Sequence, residues 1–214
     1  MGENFIYSEE QMDFIIEMFN IGSGNAATAF SQLIQKNVDV KTPAVHFLPD
    51  IEKMPQEITA MSQRATGAIM KLVGDIMGNL LFIVTDEHRP VLVQMAEEAM
   101  YGQAGAVIAI SRDREFGLSV ISETANILAG AYLNAIFDFC GLRIYHTVPI
   151  IEQDTMNSLI GSLLVSSGKD ARMIVLVETE FIIKARQIKV YLMFSTSEKY
   201  IGIFMDSISS AMKQ

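Results

Sequence analysis

Cysteine is almost absent from this 214-residue sequence, which contains only Cys140. A lone cysteine can form neither an intramolecular disulfide nor a zinc site built from several cysteines. Cys140 follows Phe139 on the apolar side of a predicted helix, where we expect a packed thiol rather than a nucleophile. The three histidines, His46, His88 and His146, fall in separate segments without the spacing of metal ligands. We therefore predict no metal site in the chain itself.

Long apolar runs and an excess of positive charge are missing as well. No stretch approaches about eighteen uninterrupted apolar residues, so we expect no membrane span. Residues 1–11 lack the basic and apolar regions of a secretion signal. The 25 acidic and 16 basic residues give a net charge of −9, which disfavours nucleic acid and anionic membranes as partners. We predict a cytoplasmic protein whose partner presents a basic face.

An internal repeat organises what the sequence does contain. The pattern of residues 13–43 recurs at residues 119–149, so the offset between copies, from residue 13 to residue 119, is 106 residues. Half of the residues are hydrophobic and 19% are charged, which excludes general disorder. A repeat of this period predicts one domain, residues 1–214, composed of two similar halves at about 8–102 and 111–214.

The repeated pattern is defined by polar residues. In each copy an Asp or Ser is followed by a Glu, an Asn, a Gly and a Pro at the same intervals. The first copy has Asp13, Glu17, Asn20, Gly24 and Pro43, and the second has Ser119, Glu123, Asn126, Gly130 and Pro149.

The first copy lies on a predicted helix that starts after Ser8, a residue type favoured at the N-cap. Apolar residues recur at helical spacing along it, whereas Glu17, Asn20 and Gly24 share another, more polar face at about 100° per residue. Gly22 and Gly24 are unfavourable inside a helix. We expect them to bend the helix or to clear space for another backbone or ligand.

The remaining segments predict an α+β fold. Strands are predicted at residues 44–48, 64–73, 79–85, 147–151, 173–179 and 189–195, the fifth with a flanking turn at residues 168–171. Helices are predicted at 86–101 with Asp86 as N-cap, from Ser111 or Asp113 to about 140, at 154–165 and at 198–212. Because the paired strands adjoin without a long crossover, we expect a largely antiparallel sheet with pseudo-two-fold symmetry.

Two interpretations of the motif face compete. A Glu and an Asn three residues apart on a helix are usually solvated surface residues, and the run GSGN after Ile21 could suggest a nucleotide-binding loop. That run lacks the lysine and the preceding strand of such loops. Two copies with equal intervals, while core positions such as Phe19 and Ala125 differ, favour a functional face.

The chemistry of the motif suits the positioning of a water molecule and the binding of a charged partner. A carboxamide does not titrate usefully, but it can hold a water molecule by hydrogen bonds. Orienting a water for in-line attack is effective in phosphoryl transfer, where positioning supplies most of the catalysis. A glutamate can pair with a lysine or arginine of a partner.

The pattern Asp/Ser-x3-Glu-x2-Asn-x22-Pro, with the run NIGSGNAATA, resembles the CheC family of chemotaxis phosphatases. The resemblance implies a CheC-like duplicated fold with two long motif-bearing helices. It implies removal of the phosphate from the aspartyl phosphate of the response regulator CheY. The predicted catalytic residues are then Glu17 and Glu123, which dock against a lysine of CheY, and Asn20 and Asn126, which orient the attacking water.

The same resemblance implies that CheY holds the Mg²⁺, so that the chain needs no cofactor of its own. Asp13 and Ser119 are expected to support the motif face by hydrogen bonding. Pro43 and Pro149 are expected to set the exit of the connection after each helix.

A non-enzymatic module is the alternative, either a flagellar switch protein of the FliM or FliY kind or an adaptor for CheD. Relatives bind the deamidase CheD through the second half, and the helix predicted at residues 154–165 is a candidate surface without a motif match. The FliM middle domain lacks the paired Glu and Asn, FliY adds a switch domain that we do not expect here, and CheX generally carries one motif. Two intact motifs favour the phosphatase.

Overall fold

The computed structural model describes residues 8–48, 62–105, 114–167 and 171–213. The helices within these ranges are α1 (Glu9–Ile34), α2 (Arg89–Gly105), α3 (Arg114–Cys140), α4 (Met156–Ser167) and α5 (Glu198–Ala211). The strands are β1 (Asp39–Val40), β2 (Ala44–Leu48), β3 (Arg64–Gly74), β4 (Gly78–Thr85), β5 (Ile144–His146), β6 (Ile150–Thr155), β7 (Ala171–Ile183) and β8 (Arg186–Ser197).

All of the described strands belong to one antiparallel sheet, which confirms the predicted α+β class. The order is β1–β7–β8–β4–β3–β5, with β2 also paired to β7 and β6 also paired to β3. Each half of the chain therefore supplies the edge strands of the other half: β2 pairs with β7, and β6 pairs with β3. Without the other half of the chain, neither the β3–β4 hairpin nor the β7–β8 hairpin would have all of its strand partners. The division into repeats at about 8–102 and 111–214 stays a prediction.

The sheet is covered on both faces, and β4 shows how the sequence achieves this. Every residue from Asn79 to Thr85 is buried. Leu80, Phe82 and Val84 belong to the larger core, which contains the buried faces of α1, α3 and α5. Leu81 and Ile83 belong to a smaller core with residues of α4. A strand buried on both faces is a nearly continuous apolar run, because alternate side chains enter different cores.

Helices α1 and α3 lie side by side and antiparallel on the larger core. The rings of Phe14 and Phe139 have centroids 5.8 Å apart, whereas Ser23, further along α1, bonds to Tyr132, which is earlier in α3. The numbering thus rises along one helix while it falls along the other. This pairing fixes how the two motif faces are placed.

The ends of the two long helices follow local signals. Ser8 forms a capping box with Gln11, whose backbone N–H donates to Ser8 Oγ at 3.1 Å, as the predicted N-cap requires. Helix α3 ends before Gly141, whose φ of +68° favours glycine. The predicted caps Ser111 and Asp113 lie outside the described residues, as does most of the turn predicted at 168–171.

The prediction that α2 begins after Asp86 is wrong. Residues 86–88 form a turn in which the His88 N–H donates to the Thr85 carbonyl at 3.0 Å, and the helix begins at Arg89. The Asp86 carboxylate instead pairs with Arg89 at 3.2 Å. A capping residue and a turn residue look alike in sequence, because Asp favours both.

The strand and helix predicted at residues 147–151 and 154–165 are each displaced. Strand β6 continues to Thr155, which pairs with Arg64 of β3, and α4 begins at Met156. The Ser158 N–H donates to Thr155 Oγ1 at 3.2 Å, so Thr155 caps the helix. Pairing with a distant strand decided this boundary. The apolar residues of α4 that face the smaller core, Met156, Leu159, Ile160 and Leu163, are all buried.

The other differences concern the lengths of strands. Strands β1 and β5 are too short to show a pattern in the sequence, and β7 and β8 are longer than predicted. Their ends pair mainly with each other, for example Ile183 with Arg186.

Helix α3 is long and apolar enough to span a bilayer by length and composition, but 61% of its most apolar window is buried inside the fold. Such burial is typical of the core helix of a globular protein. Its apolarity follows from contacts with both α1 and the sheet.

Two neighbouring glutamates on α2 predict opposite effects of pH on stability. Glu97 is only 1% exposed, and neither of its carboxylate oxygens has a hydrogen-bond partner among the described residues. Burial raises the pKa of Glu97. For Glu98, by contrast, the hydrogen bond from Lys36 is the main cause that lowers the pKa, and Arg186 lies 3.7 Å away.

Replacing Glu97 with Gln is expected to raise the free energy of unfolding at pH 7. An acid whose pKa is raised on folding loses stability as the pH rises above its ordinary value, so the gain should shrink at pH 4. Glu98→Gln is the matched control and should destabilise at pH 7, with the effect fading as the pH falls. Thermal melts at both pH values test this, at about 2–4 °C per kcal/mol for a chain of this size. If Glu97→Gln lowered the melting temperature at pH 7, the buried carboxylate of Glu97 would not be destabilising as expected.

Candidate functional site: twin motif faces

The first motif face lies on α1, where one helical turn separates a carboxylate from a carboxamide. Glu17 is exposed and Asn20 is half-buried. The Asn20 amide donates from Nδ2 to Glu17 Oε2 at 3.4 Å. The helix therefore holds the two predicted functional groups within hydrogen-bonding distance of each other. The Glu17 carboxylate is exposed to solvent, and the Asn20 amide is less exposed.

The amide oxygen of Asn20 has unmet hydrogen-bonding capacity. Asn20 Oδ1 is buried and has no hydrogen-bond partner among the described residues. A buried acceptor without a donor costs about 1–3 kcal/mol, and a modest rotation of the side chain could bring it to a donor outside the chain. The group is thus able to accept a hydrogen bond from a water molecule or a docked partner.

The second motif face repeats this arrangement on α3. Glu123 is exposed and Asn126 is half-buried, as in the first copy. An added Cβ on Gly22 would be 3.5 Å from Ala135 Cβ, so in this antiparallel pair Asn20 is roughly level with Phe137. From there to Asn126 is about 16 Å along the axis of α3. One water cannot reach both amides, and the chain presents two separate sites.

The glycines of the two motif helices differ in whether packing inside the chain requires them. An added Cβ at Gly24 or at Gly130 would meet nothing within 4 Å, so packing inside the chain does not require glycine there. At Gly22 an added Cβ would be 2.7 Å from Tyr132 Cδ1. The prediction that both glycines of α1 clear space for another backbone or a ligand is therefore wrong for Gly22, because the side chain of Tyr132 occupies the space beside it.

The four residues predicted to support the motif lie around it rather than between the functional groups. Asp13 is exposed, and the Ser119 hydroxyl donates to the Glu115 carbonyl of its own helix at 2.9 Å. Pro43 and Pro149 are buried, each one residue before an edge strand. Their positions suit the predicted role in the connection after each helix, while the roles of Asp13 and Ser119 stay predictions.

Cys140 sits in the packed interface between α1 and α3. Its Sγ lies 4.0 Å from Met18 Sδ, and burial raises the pKa of the thiol to about 11. Because the thiolate is the reactive form, a thiol that keeps its proton at neutral pH suits the predicted packed thiol better than a nucleophile. Among the residues that the structure describes, no three His, Cys, Asp or Glu side chains are grouped so that they could hold a metal ion.

A buried chain of hydroxyl groups beneath the first face was not predicted. Ser23 Oγ lies 2.6 Å from the Tyr132 hydroxyl, which lies 2.7 Å from Thr179 Oγ1 of β7. Burial is the main cause that raises the pKa of Tyr132, so its hydroxyl keeps its proton. Ser23 is a polar residue inside the apolar stripe of α1. That exception is the only feature of the sequence that indicates a buried hydrogen bond at this point.

Comparison with known proteins matches the two motif helices together with the edge strands that follow. The CheC-like family matches residues 10–47 and 116–152, which contain both copies of the motif. The chain is also similar, along most of its length, to a protein of known name. It is 25% identical over 179 residues, covering 84% of this chain and 83% of the relative, to a protein of Bacillus subtilis (strain 168) named CheY-P phosphatase CheC.

Solved structures of other proteins are similar to this chain in fold. Thermotoga maritima FliY has a TM-score of 0.70 at 16% identity, covering 97% of this chain and 100% of that one. A CheX–CheY–BeF3–Mg²⁺ complex from Borrelia burgdorferi has a TM-score of 0.51 at 14% identity, covering 85% and 99%. The resemblance predicted from the motif and the predicted fold are both confirmed, whereas the roles of the individual motif residues stay predictions.

Proposed function

We propose that this protein hydrolyses the aspartyl phosphate of a CheY-type receiver domain in the cytoplasm. Water attacks the phosphorus, the bond between phosphorus and the aspartyl oxygen breaks, and the products are the free aspartate carboxylate and inorganic phosphate. The observation that carries this proposal is the presence of two separate faces, each with an exposed Glu and a half-buried Asn one turn apart.

Each side chain has a role suited to its chemistry. Asn20 and Asn126 orient the attacking water, because an amide can accept and donate hydrogen bonds without titrating. The unpaired Oδ1 of Asn20 supplies the acceptor for such a water. Glu17 and Glu123 pair with a lysine beside the phosphorylated aspartate of the partner, where their exposure leaves them free to form a charge-assisted hydrogen bond.

The partner brings the rest of the active site. The receiver supplies the aspartyl phosphate, the lysine and Mg²⁺, which neutralises the charge on the phosphoryl oxygens. The relative named a CheY-P phosphatase and the CheX–CheY complex of the same fold support this choice of partner. A net charge of −9 favours encounter with a basic surface.

The direct test is the decay of a purified, phosphorylated CheY-type receiver in the presence of Mg²⁺. We expect catalytic amounts of the protein to release inorganic phosphate faster than the receiver does alone. A receiver whose active-site lysine is replaced by alanine serves as the matched control and should be a poorer substrate. If stoichiometric amounts of the protein leave the decay unchanged, the proposal is wrong.

A non-enzymatic adaptor is the second candidate, because the fold is shared with FliY. Stable binding to flagellar motor components without phosphate release would favour it. The predicted contact with CheD also stays a prediction. Its candidate surface is the exposed side of α4, where Val165 is 84% exposed, and binding should be measured with Val165→Asp as the variant.

A further inference from the structure

The two motif faces are alike on the surface but not underneath. Position 23 of the first copy corresponds to position 129 of the second, and position 26 corresponds to 132, by the offset of 106 residues. Ser23 and Tyr132 are fully buried and bonded to each other. Their counterparts Ala129 and Ala26 are equally buried but carry no polar group. Of these two turns, both of which lie within the described residues, the one that bears Asn20 has this hydrogen-bonded support.

Tyr132 contacts the helical turn around Asn20 at several points. Its ring lies against Phe19, with centroids 6.0 Å apart, and against Gly22, which leaves no room for a Cβ. Its hydroxyl meets Ser23 at 2.6 Å and Thr179 of the sheet at 2.7 Å. Phe19, just before Asn20, and Gly22 and Ser23, two and three residues after Asn20, thus contact one side chain that is bonded to the sheet.

Such a support restrains rotation of the helix about its axis. Hydrogen bonds are directional, and interactions weaken steeply when the angle changes, whereas apolar contacts are not directional. With side-chain tips about 5–6 Å from the helix axis, a roll of about 10° moves the Asn amide by about 1 Å. A displacement of about 1 Å can cost about 100-fold in rate.

We infer that the buried Ser23–Tyr132–Thr179 chain positions Asn20 and makes the Glu17/Asn20 face the faster of the two sites. The three residues are positioning residues, since none lies on the motif face. The inference rests on the proposed function for its effect on catalysis. Its effect on local order does not depend on that function.

The catalytic test uses variants in which only one site remains. Asn126→Ala leaves the first face, and Asn20→Ala leaves the second. Ser23→Ala copies the residue that the second half already has, and it leaves the bond between Tyr132 and Thr179 in place. In the Asn126→Ala background we expect Ser23→Ala to lower kcat about 3–10-fold with little change in KM, a fraction of the loss that a full displacement can cause.

The same substitution in the Asn20→Ala background should leave kcat unchanged. A general loss of stability would affect both backgrounds equally, so this pair separates positioning from folding. Thr179→Val, which cuts the link to the sheet, should show the same preference for the first site. Equal losses in both backgrounds, or faster turnover by the second face than by the first, would overturn the inference.

Hydrogen exchange tests local order without any enzymatic readout. Amides of residues 17–23 should exchange more slowly than those of residues 123–129, and Ser23→Ala should remove the difference. If the receiver is not dephosphorylated but this difference is found, the proposed function fails while the positioning role holds. Equal exchange in the two segments of the unmodified protein would exclude the positioning role as well.

Discussion

Replacing both Asn20 and Asn126 with alanine is expected to lower the rate of receiver dephosphorylation about 100-fold or more, close to the rate of the receiver alone. Removing one preorganised hydrogen-bonding group from an active site typically costs about 10²–10³ in rate. Each single substitution should leave the other face active, because the two amides belong to separate sites. Release of inorganic phosphate from a phosphorylated receiver is the measurement.

Exposed asparagines elsewhere on the same helices provide matched controls. Asn25 on α1 and Asn134 on α3 are exposed and lie outside the Glu–Asn pairs. Asn25→Ala and Asn134→Ala should therefore leave the rate within about twofold, since surface substitutions usually change stability by no more than about 0.5 kcal/mol. Full activity of the Asn20→Ala, Asn126→Ala double variant would contradict the assigned roles.

Gly22→Ala is expected to destabilise the fold by about 1–3 kcal/mol, the usual cost of overpacking a core. An added Cβ would be 2.7 Å from Cδ1 of Tyr132, and that ring is itself 1% exposed, so it has little room to move. The phenol would shift away from Ser23, and the support beneath Asn20 would be distorted. Chemical denaturation measures the loss of free energy of unfolding.

Gly24→Ala is the matched control, two residues further along the same helix. Its Cβ would meet nothing within 4 Å, so the substitution should stabilise the helix by up to about 1 kcal/mol. If a receiver packs closely against the motif face, the same variant should raise KM. Equal stability changes at Gly22 and Gly24 would show that the contact with Tyr132 does not constrain the helix.

The long helices and the central strands could be predicted because their signals are local. Helix α1 has a capping residue at Ser8 and an apolar stripe, and β4 contains the apolar run of residues 80–84. Edge strands and boundaries could not be predicted in the same way. Strand β6 runs to Thr155 because it pairs with β3, and no pattern within six residues records that pairing.

In the candidate site, too, the features with local signals could be predicted and those that depend on distant residues could not. Glu17, Asn20 and their repeats stand out because the repeat keeps polar residues on an exposed helix face while core positions such as Phe19 and Ala125 differ. The buried hydroxyl chain does not stand out, because Ser23, Tyr132 and Thr179 are far apart in sequence. Only packing shows that they meet.

The sequence by itself determined the duplication, the two Glu–Asn pairs and the helical face that each pair shares. Fixed intervals along a helix specify the direction in which the side chains project from its axis. The tertiary structure decided that the edge strands are exchanged between the halves and that the helices are antiparallel, which separates the two sites. It also decided that Gly22 accommodates Tyr132 while Gly24 stays open. These outcomes depend on contacts between residues distant in the chain, and such contacts leave no periodic trace in a sequence.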